Sequence, residues 1–526
     1  MTRPNRLPLP DRLDAELLLE EHVWGHRLYD EQTPWLTLLE FLMILSAEDT
    51  EGRALKEPRG PNTLEYRPSR RLHLRNVLFN NPSIQLVRDG YSTSEDRWQA
   101  WLERMKKEAA GLQGATREFS YLRERFSDFD QFCDIVGLFR SSAIEGESNK
   151  RWSSKFVFPF GPDCLYEDLR VGENTASNDR RFFARTGELL YLMLCRSGQG
   201  ENVASKLRGL ILNPLADWNR LAKLLQPDTR EAARDPGSPC YLPYQDLPDF
   251  KELARDWLRL LDLKMPRYDV LPHLATMAGL HLLLYVLRRA SEWAKSARGG
   301  VVLVLEIVAS DRNLVRQAAI EQYDYNNYLP REAIEGYLAS IWESRPIQMA
   351  LKGHAPYEHT KKALQEALGI HEKQWNKWQS KGVLSGTSDP EKLFHELVQH
   401  CQKRHRHHFA NIHREYGREI GLISRRGTKK LRYAPSDSFL KTLVYTLVSG
   451  RMELGEFLRK AYSDYRFVIG DAEAKEALRG YGIDQKSFRD NVFRLEERLR
   501  ALGLLHRLSD DCAYVLNPYF AGGATP

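Results

Sequence analysis

The chain has 526 residues, 42% of them hydrophobic and 28% charged, with a formal net charge of +6. That is the profile of a soluble globular protein of roughly two to four domains, and so modest a charge does not by itself imply a nucleic-acid partner. Six cysteines form no C-x-x-C pair, which excludes a zinc ribbon or a thioredoxin-like motif. An N-terminus that turns acidic before any long apolar run is no secretory signal, so reduced thiols in a cytoplasm are expected.

Residues 1–48 read as an N-terminal helical segment. Asp11 caps a helix reaching Trp24, and Thr33-Pro34 opens a second, Trp35 to Leu45, apolar nearly all round and therefore buried. His22 and His26 stand four apart beside Glu21. Without the H-E-x-x-H order or a third ligand they read as a half-buried helix face rather than a metal pair.

Residues 49–226 read as a mixed α/β region. Pro58, Gly60, Pro61, Pro68 and Pro82 forbid long helices, so short strands are expected at Leu72–Phe79 and Ile84–Arg88. Helices return at Glu95–Ala110, Phe119–Phe126 and Phe132–Phe139. Between Asn149 and Arg185, Lys150, Arg151, Trp152, Lys155, Arg180 and Arg181 interleave with Phe156, Phe158, Phe160, Phe182 and Phe183. Such interleaving suits nucleic acid, but a strand whose rings fill a core is the favoured reading.

A loop dense in Pro and Asp over 227–249 separates this region from a mostly helical domain, 250–388. Leu274–Leu287 is its most apolar run and is too short to span a bilayer. Val301–Val308 is a continuous β-branched and aliphatic run, expected to be a buried strand. A restriction-type nuclease would need an E-x-K triplet here. The triplet is Glu306-Ile307-Val308, without the lysine, so Glu306 and Asp311 read as strand end and helix cap. Helices interrupted at Pro330, Pro346 and Pro356 are expected through residue 380.

Residues 389–434 hold a long helix, from Asp389-Pro390 to about Ile420, and a basic linker. Cys401, His405 and His408 share one stripe; three zinc-compatible groups on a single helix read as a packing seam. From 403 to 432 there are ten Lys or Arg against Glu415 and Glu419, a local excess of +8 (ten minus two). The remainder of the chain is therefore slightly acidic, and the charge leads directly into the last unit, 435–520.

That unit has two helical patterns, Phe439–Val448 and Glu453–Tyr462, and then a helix opened by Asp484 and closed by Gly503. Phe488, Val492, Leu495, Leu499 and Leu502 recur at the spacing of one buried face. Asp484 can accept from first-turn amides, and Gly503 can take the left-handed closing conformation. Lys486, Arg489, Arg494 and Arg498 point outward, among Glu496 and Glu497. Leu504–Leu508, a turn at Ser509-Asp510-Asp511 and Cys512–Leu516 read as a hairpin.

Helices followed by a basic helix and a small hairpin resemble a winged helix-turn-helix. The resemblance implies a last helix in the DNA major groove and a hairpin on the backbone. The DNA-binding residues it points to are Lys403, Arg404, Arg406, Arg425, Arg426, Lys429, Lys430, Arg432, Lys486, Arg489, Arg494 and Arg498. A long helical body without catalytic motifs, ending in such a unit, is similar to helical accessory proteins of prokaryotic antiphage defence systems of the methylation-associated, restriction-like kind. That likeness implies partner subunits supplying methylation, ATP hydrolysis or cleavage. The fold expected is mostly α and multidomain, with small α+β elements in the middle.

No phosphate-binding loop, no G-x-G-x-x-G after a strand and no G-x-S-x-G elbow occurs. No cofactor, metal or membrane is expected, and the reading leans against an enzyme. The alternatives are a scaffold that uses the winged helix to bind protein, and a nuclease with an unrecognised site.

Overall fold

The apolar run at 274–287 lies within a helix, Val270–Trp293, and the rest of the body is built around it. It packs against the helices Pro34–Thr50, Pro248–Leu261 and Leu314–Trp342. Helix 34–50 in turn packs on Thr186–Cys195, buried on all sides. This is a computed structural model describing residues 7, 22–25, 32–58, 64–144, 155–178, 185–228, 241–294, 300–309, 313–386, 388–408, 410–425, 430–478, 484–509 and 512–520. The architecture is mostly helical with small strands.

By length and composition helix 270–293 could cross a membrane, longer than the apolar run alone suggests, but 83% of its most apolar stretch is buried inside the protein. Polar anchors fix its neighbours to it. Trp24 donates its indole N–H to Val286 O at 3.0 Å, and the Tyr285 hydroxyl donates to Trp24 O at 2.8 Å. Gly336 has to be glycine: a Cβ there would lie 1.9 Å from Trp293 O, so helix 314–342 meets the end of the central helix backbone to backbone.

Local signals formed several elements as expected. The Thr33 hydroxyl accepts from Leu36 N and opens the buried helix 34–50. Trp98 and Trp101 on helix Ser94–Glu108 meet Phe129 and Phe132 at centroid distances of 4.9–6.3 Å, and these rings form the core of the mixed region. Phe158 packs on Phe160, which stacks on Trp218 at 5.1 Å, so the described rings of the aromatic stretch turn inward. Its residues 150–152 and 180–183 lie outside the described residues.

Three expectations are corrected. Leu72–Phe79 and Ile84–Gly90 are helices, not strands. The first is buried nearly all round, which left no period to read. Pro330 lies inside the 29-residue helix 314–342 instead of ending it, because Leu329 and Pro330 are buried and that packing outweighs the lost hydrogen bond. The long basic helix is helical over all its described residues, Pro390–His408 and Ala410–Glu419, as expected, with residue 409 outside the described residues. Only Leu303–Val304 of the 301–308 run makes a strand ladder.

That short strand nonetheless joins three parts of the chain, and its amides account for the junction. Leu303 N donates to Arg466 O and Leu305 N to Val468 O, the parallel pairing with Phe467–Val468. Glu306 N donates to Tyr433 O, in the hairpin formed by Ile423–Ser424 and Arg432–Tyr433. Ile307 N and Val308 N both donate to Asn491 Oδ1, at 2.7 and 3.1 Å. Asn491 returns its two donors to Leu305 O and Ile469 O, at 2.9 and 3.0 Å. A polar cluster adds a second link. Buried Asp256 accepts from Tyr465 at 2.7 Å and lies 2.9 Å from His281 Nε2, tying helix Leu454–Tyr465 to two body helices. Burial pushes the Asp256 carboxyl up, but His281 and Arg255 more than offset this and hold it below its usual range.

Candidate nucleic-acid interface

The last unit begins with helix Asp437–Leu447, capped by the Ser436 hydroxyl. Strand Arg451–Glu453 and helix 454–465 follow, then the short helix Asp471–Ala477. The terminal helix runs Gln485–Ala501 and the hairpin is Leu505–Ser509 with Cys512–Leu516. The hairpin's second strand also pairs with 451–453, giving the three-stranded order 505–509, 512–516, 451–453.

The terminal helix is held as its sequence dictates. Asp484 accepts from Lys486 N and Ser487 N, and the Ser487 hydroxyl, with those amides, keeps its carboxyl below the usual range. Gly503 closes the helix at φ +71°. Phe488, Asn491, Leu495 and Leu499 are buried against the body and the unit's own core. The opposite face carries Lys486, Arg489, Asp490, Phe493, Glu497 and Arg500, all exposed.

The basic residues divide into those the protein uses itself and those it leaves outside. Arg432 is only 2% exposed, and its Nε donates to buried Glu306 at 2.9 Å. Assigning Arg432 to a phosphate is therefore corrected: it is half of an internal ion pair. Glu306, 3% exposed, is the other half of that pair. Arg498 bonds Asp437 Oδ1 and Pro435 O, and Arg494 pairs with Glu497 at 2.7 Å. In the linker Arg414 and Arg418 both pair with Glu415.

Lys403, Arg425 and Lys430 are exposed at the helix and hairpin. Lys486 and Arg500 are exposed without an ion pair among the described residues, and Arg489, 71% exposed, lies 3.8 Å from Asp471 Oδ2. The side chains of Arg404, Arg406, Arg426 and Lys429 lie outside the described residues, as do those of His405 and His408 beside Cys401. The structure thus brings Lys486, Arg489 and Arg494 onto the terminal helix's open side and places Lys403 on a different element.

Three residues escaped the sequence reading. Asn491 fixes the helix to the strand, and only its long-range partners reveal it. Arg500 and Phe493 belong to the outward stripe. Phe493 is 56% exposed and shares its helical phase with Lys486 and Arg500 rather than with Phe488 and Leu495, which the period of 3.6 could have disclosed.

Elsewhere the chemistry is internal. Among the described residues no group of three His, Cys, Asp or Glu is placed to hold a metal ion. A cleft of about 1010 Å³ lies between the end of helix 34–50 and residues 65–73. Its charges are largely paired, Arg53 with Glu48 and Arg71 with Asp163, which leaves no field of one sign. Comparison with protein families, with curated proteins and with solved structures finds no match to this chain.

Proposed function

We propose that this protein binds duplex DNA through a C-terminal winged helix, as a non-catalytic component of a larger assembly. The order helix, strand, helix, helix, hairpin, with the hairpin pairing back onto the first strand, supports the winged-helix assignment. The observation that carries the reading is the terminal helix. One face is locked to the body through Asn491, and the opposite face offers Lys486, Arg489 and Arg500 to solvent. A rigidly seated helix with cations on its free side fits backbone contact at a groove, where neutralised phosphates release counterions. Arg425 and Lys430 lie between the two strands of the 423–433 hairpin, which the same strand joins to the terminal helix through Glu306 N and Tyr433 O.

The wider role rests on the resemblance alone: an accessory subunit of a prokaryotic antiphage system whose partners carry out the chemistry. Five free cysteines among the described residues agree with a reducing, cytoplasmic setting. Binding of a short duplex to the purified chain, followed by anisotropy, tests the reading. Lys486→Glu, Arg489→Glu and Arg500→Glu together should abolish binding, and a wild-type chain that ignores DNA at low salt would end it.

A second reading has its own observation. Phe493 on the helix and Leu508 on the hairpin are exposed apolar groups, 56% and 61%, beside arginines already paired with carboxylates. Aromatic anchors among arginines characterise protein interfaces. On that reading the unit docks a partner subunit, and its binding is only weakly dependent on salt.

A further inference from the structure

We propose that Phe493 reads the C5-methyl group of thymine in the major groove. This rests on the DNA reading above and names what that helix recognises.

The ring stands at the middle of the outward stripe, with Lys486 seven residues before it and Arg500 seven after. Seven residues rise about 10 Å. The two cations therefore stand about 21 Å apart along the helix with the ring midway between them, so their long side chains reach backbone at the two ends of the stretch of groove that the ring faces. Asp490 and Glu497 share this face close to the ring. Glu497 is already paired with Arg494, but Asp490, without an ion pair among the described residues, repels phosphate beside the ring, so the centre of the face meets base edges while the ends meet backbone. Base edges in the major groove carry donors, acceptors and one apolar group, the thymine methyl. A phenyl ring set against amines and carbonyls would strip water from them without offering a hydrogen bond in return. Against a methyl it buries apolar surface at no such cost. Hydrogen bonds from Asn491 on the opposite side hold the helix, so the ring is presented without reordering of the backbone.

The test uses the full chain and two short duplexes, alternating adenine–thymine and the same sequence with deoxyuridine in place of thymidine. They differ only in the C5-methyl groups. Wild type should bind the thymine duplex about fourfold more tightly, the factor for burying one methyl-sized group. Phe493→Ala should bring the thymine duplex to the uracil value and leave the uracil duplex unchanged. Phe493→Leu, which keeps an apolar side chain, should retain part of the preference. Equal, salt-sensitive binding of both duplexes by wild type would overturn the methyl assignment and leave DNA binding standing. Binding of neither duplex would overturn both, and would favour a protein partner for this face.

Discussion

Asn491 is one side chain on which the seating of the terminal helix turns, and replacing it with alanine gives a calculable penalty. A buried amide at Ile307 and a half-buried one at Val308 lose their acceptor, and two buried carbonyls, at Leu305 and Ile469, lose a donor. An orphaned buried polar group costs about 1–3 kcal/mol. The space vacated by the amide is large enough for one water, which would satisfy some of the four. The expected loss is therefore about 3–5 kcal/mol. A chain of this length need not unfold in two states, so the primary assay is hydrogen exchange, read locally. Protection should fall at residues 305–308 and along helix 485–501, with a lower urea midpoint as the global readout. Asp490→Ala, one residue away and exposed, should stay within about 0.5 kcal/mol of wild type. A cost below about 1 kcal/mol for Asn491→Ala, with exchange at 307 and 308 unchanged, would refute the clamp.

Removing either member of the Glu306–Arg432 pair leaves a buried charge alone, so Glu306→Ala or Arg432→Ala should each cost about 3–5 kcal/mol. The pair of changes Glu306→Leu and Arg432→Met should cost less than either alanine, as a denaturation series would show. Burial lowers the imidazole of His413 to about 3, while its Nε2 lies 2.8 Å from the Tyr433 hydroxyl. The unfolded chain takes up this proton near pH 6.5 and the folded chain does not. Stability should therefore fall as pH drops from about 6.5 toward 3, by up to about 1.4 kcal/mol per pH unit from this group. Urea midpoints of His413→Gln should show a shallower slope over that range; an unchanged slope would show that His413 is not the source. Gly336→Ala should lower the melting temperature sharply, because its Cβ would strike the carbonyl of Trp293.

What the sequence disclosed was local. Asp484, Thr33 and Gly503 act within one helical turn of themselves, and each does what its chemistry predicts. The buried face of helix 485–501 followed from a period, and so did the phase that exposes Phe493, although that signal was passed over. What stayed hidden is pairing at a distance. Glu306 and Arg432 lie 126 residues apart and Asn491 lies 184 from Ile307, and no spacing rule joins them. Without that pairing Arg432 looked like its exposed basic neighbours. Helix 72–79 was missed for a different reason: burial on every side erases the alternation that separates helix from strand.

The salt dependence of duplex affinity tests the central claim most directly. Anisotropy titrations of wild type between about 50 and 200 mM salt should give a steep fall in affinity, with a slope near −0.9 per phosphate contacted. Replacing Lys486, Arg489 and Arg500 together with alanine should flatten that slope by about 2.7. Arg498→Ala, whose guanidinium is held by Asp437, should leave it unchanged. A wild-type slope near zero, or one that the triple variant does not alter, would contradict the account.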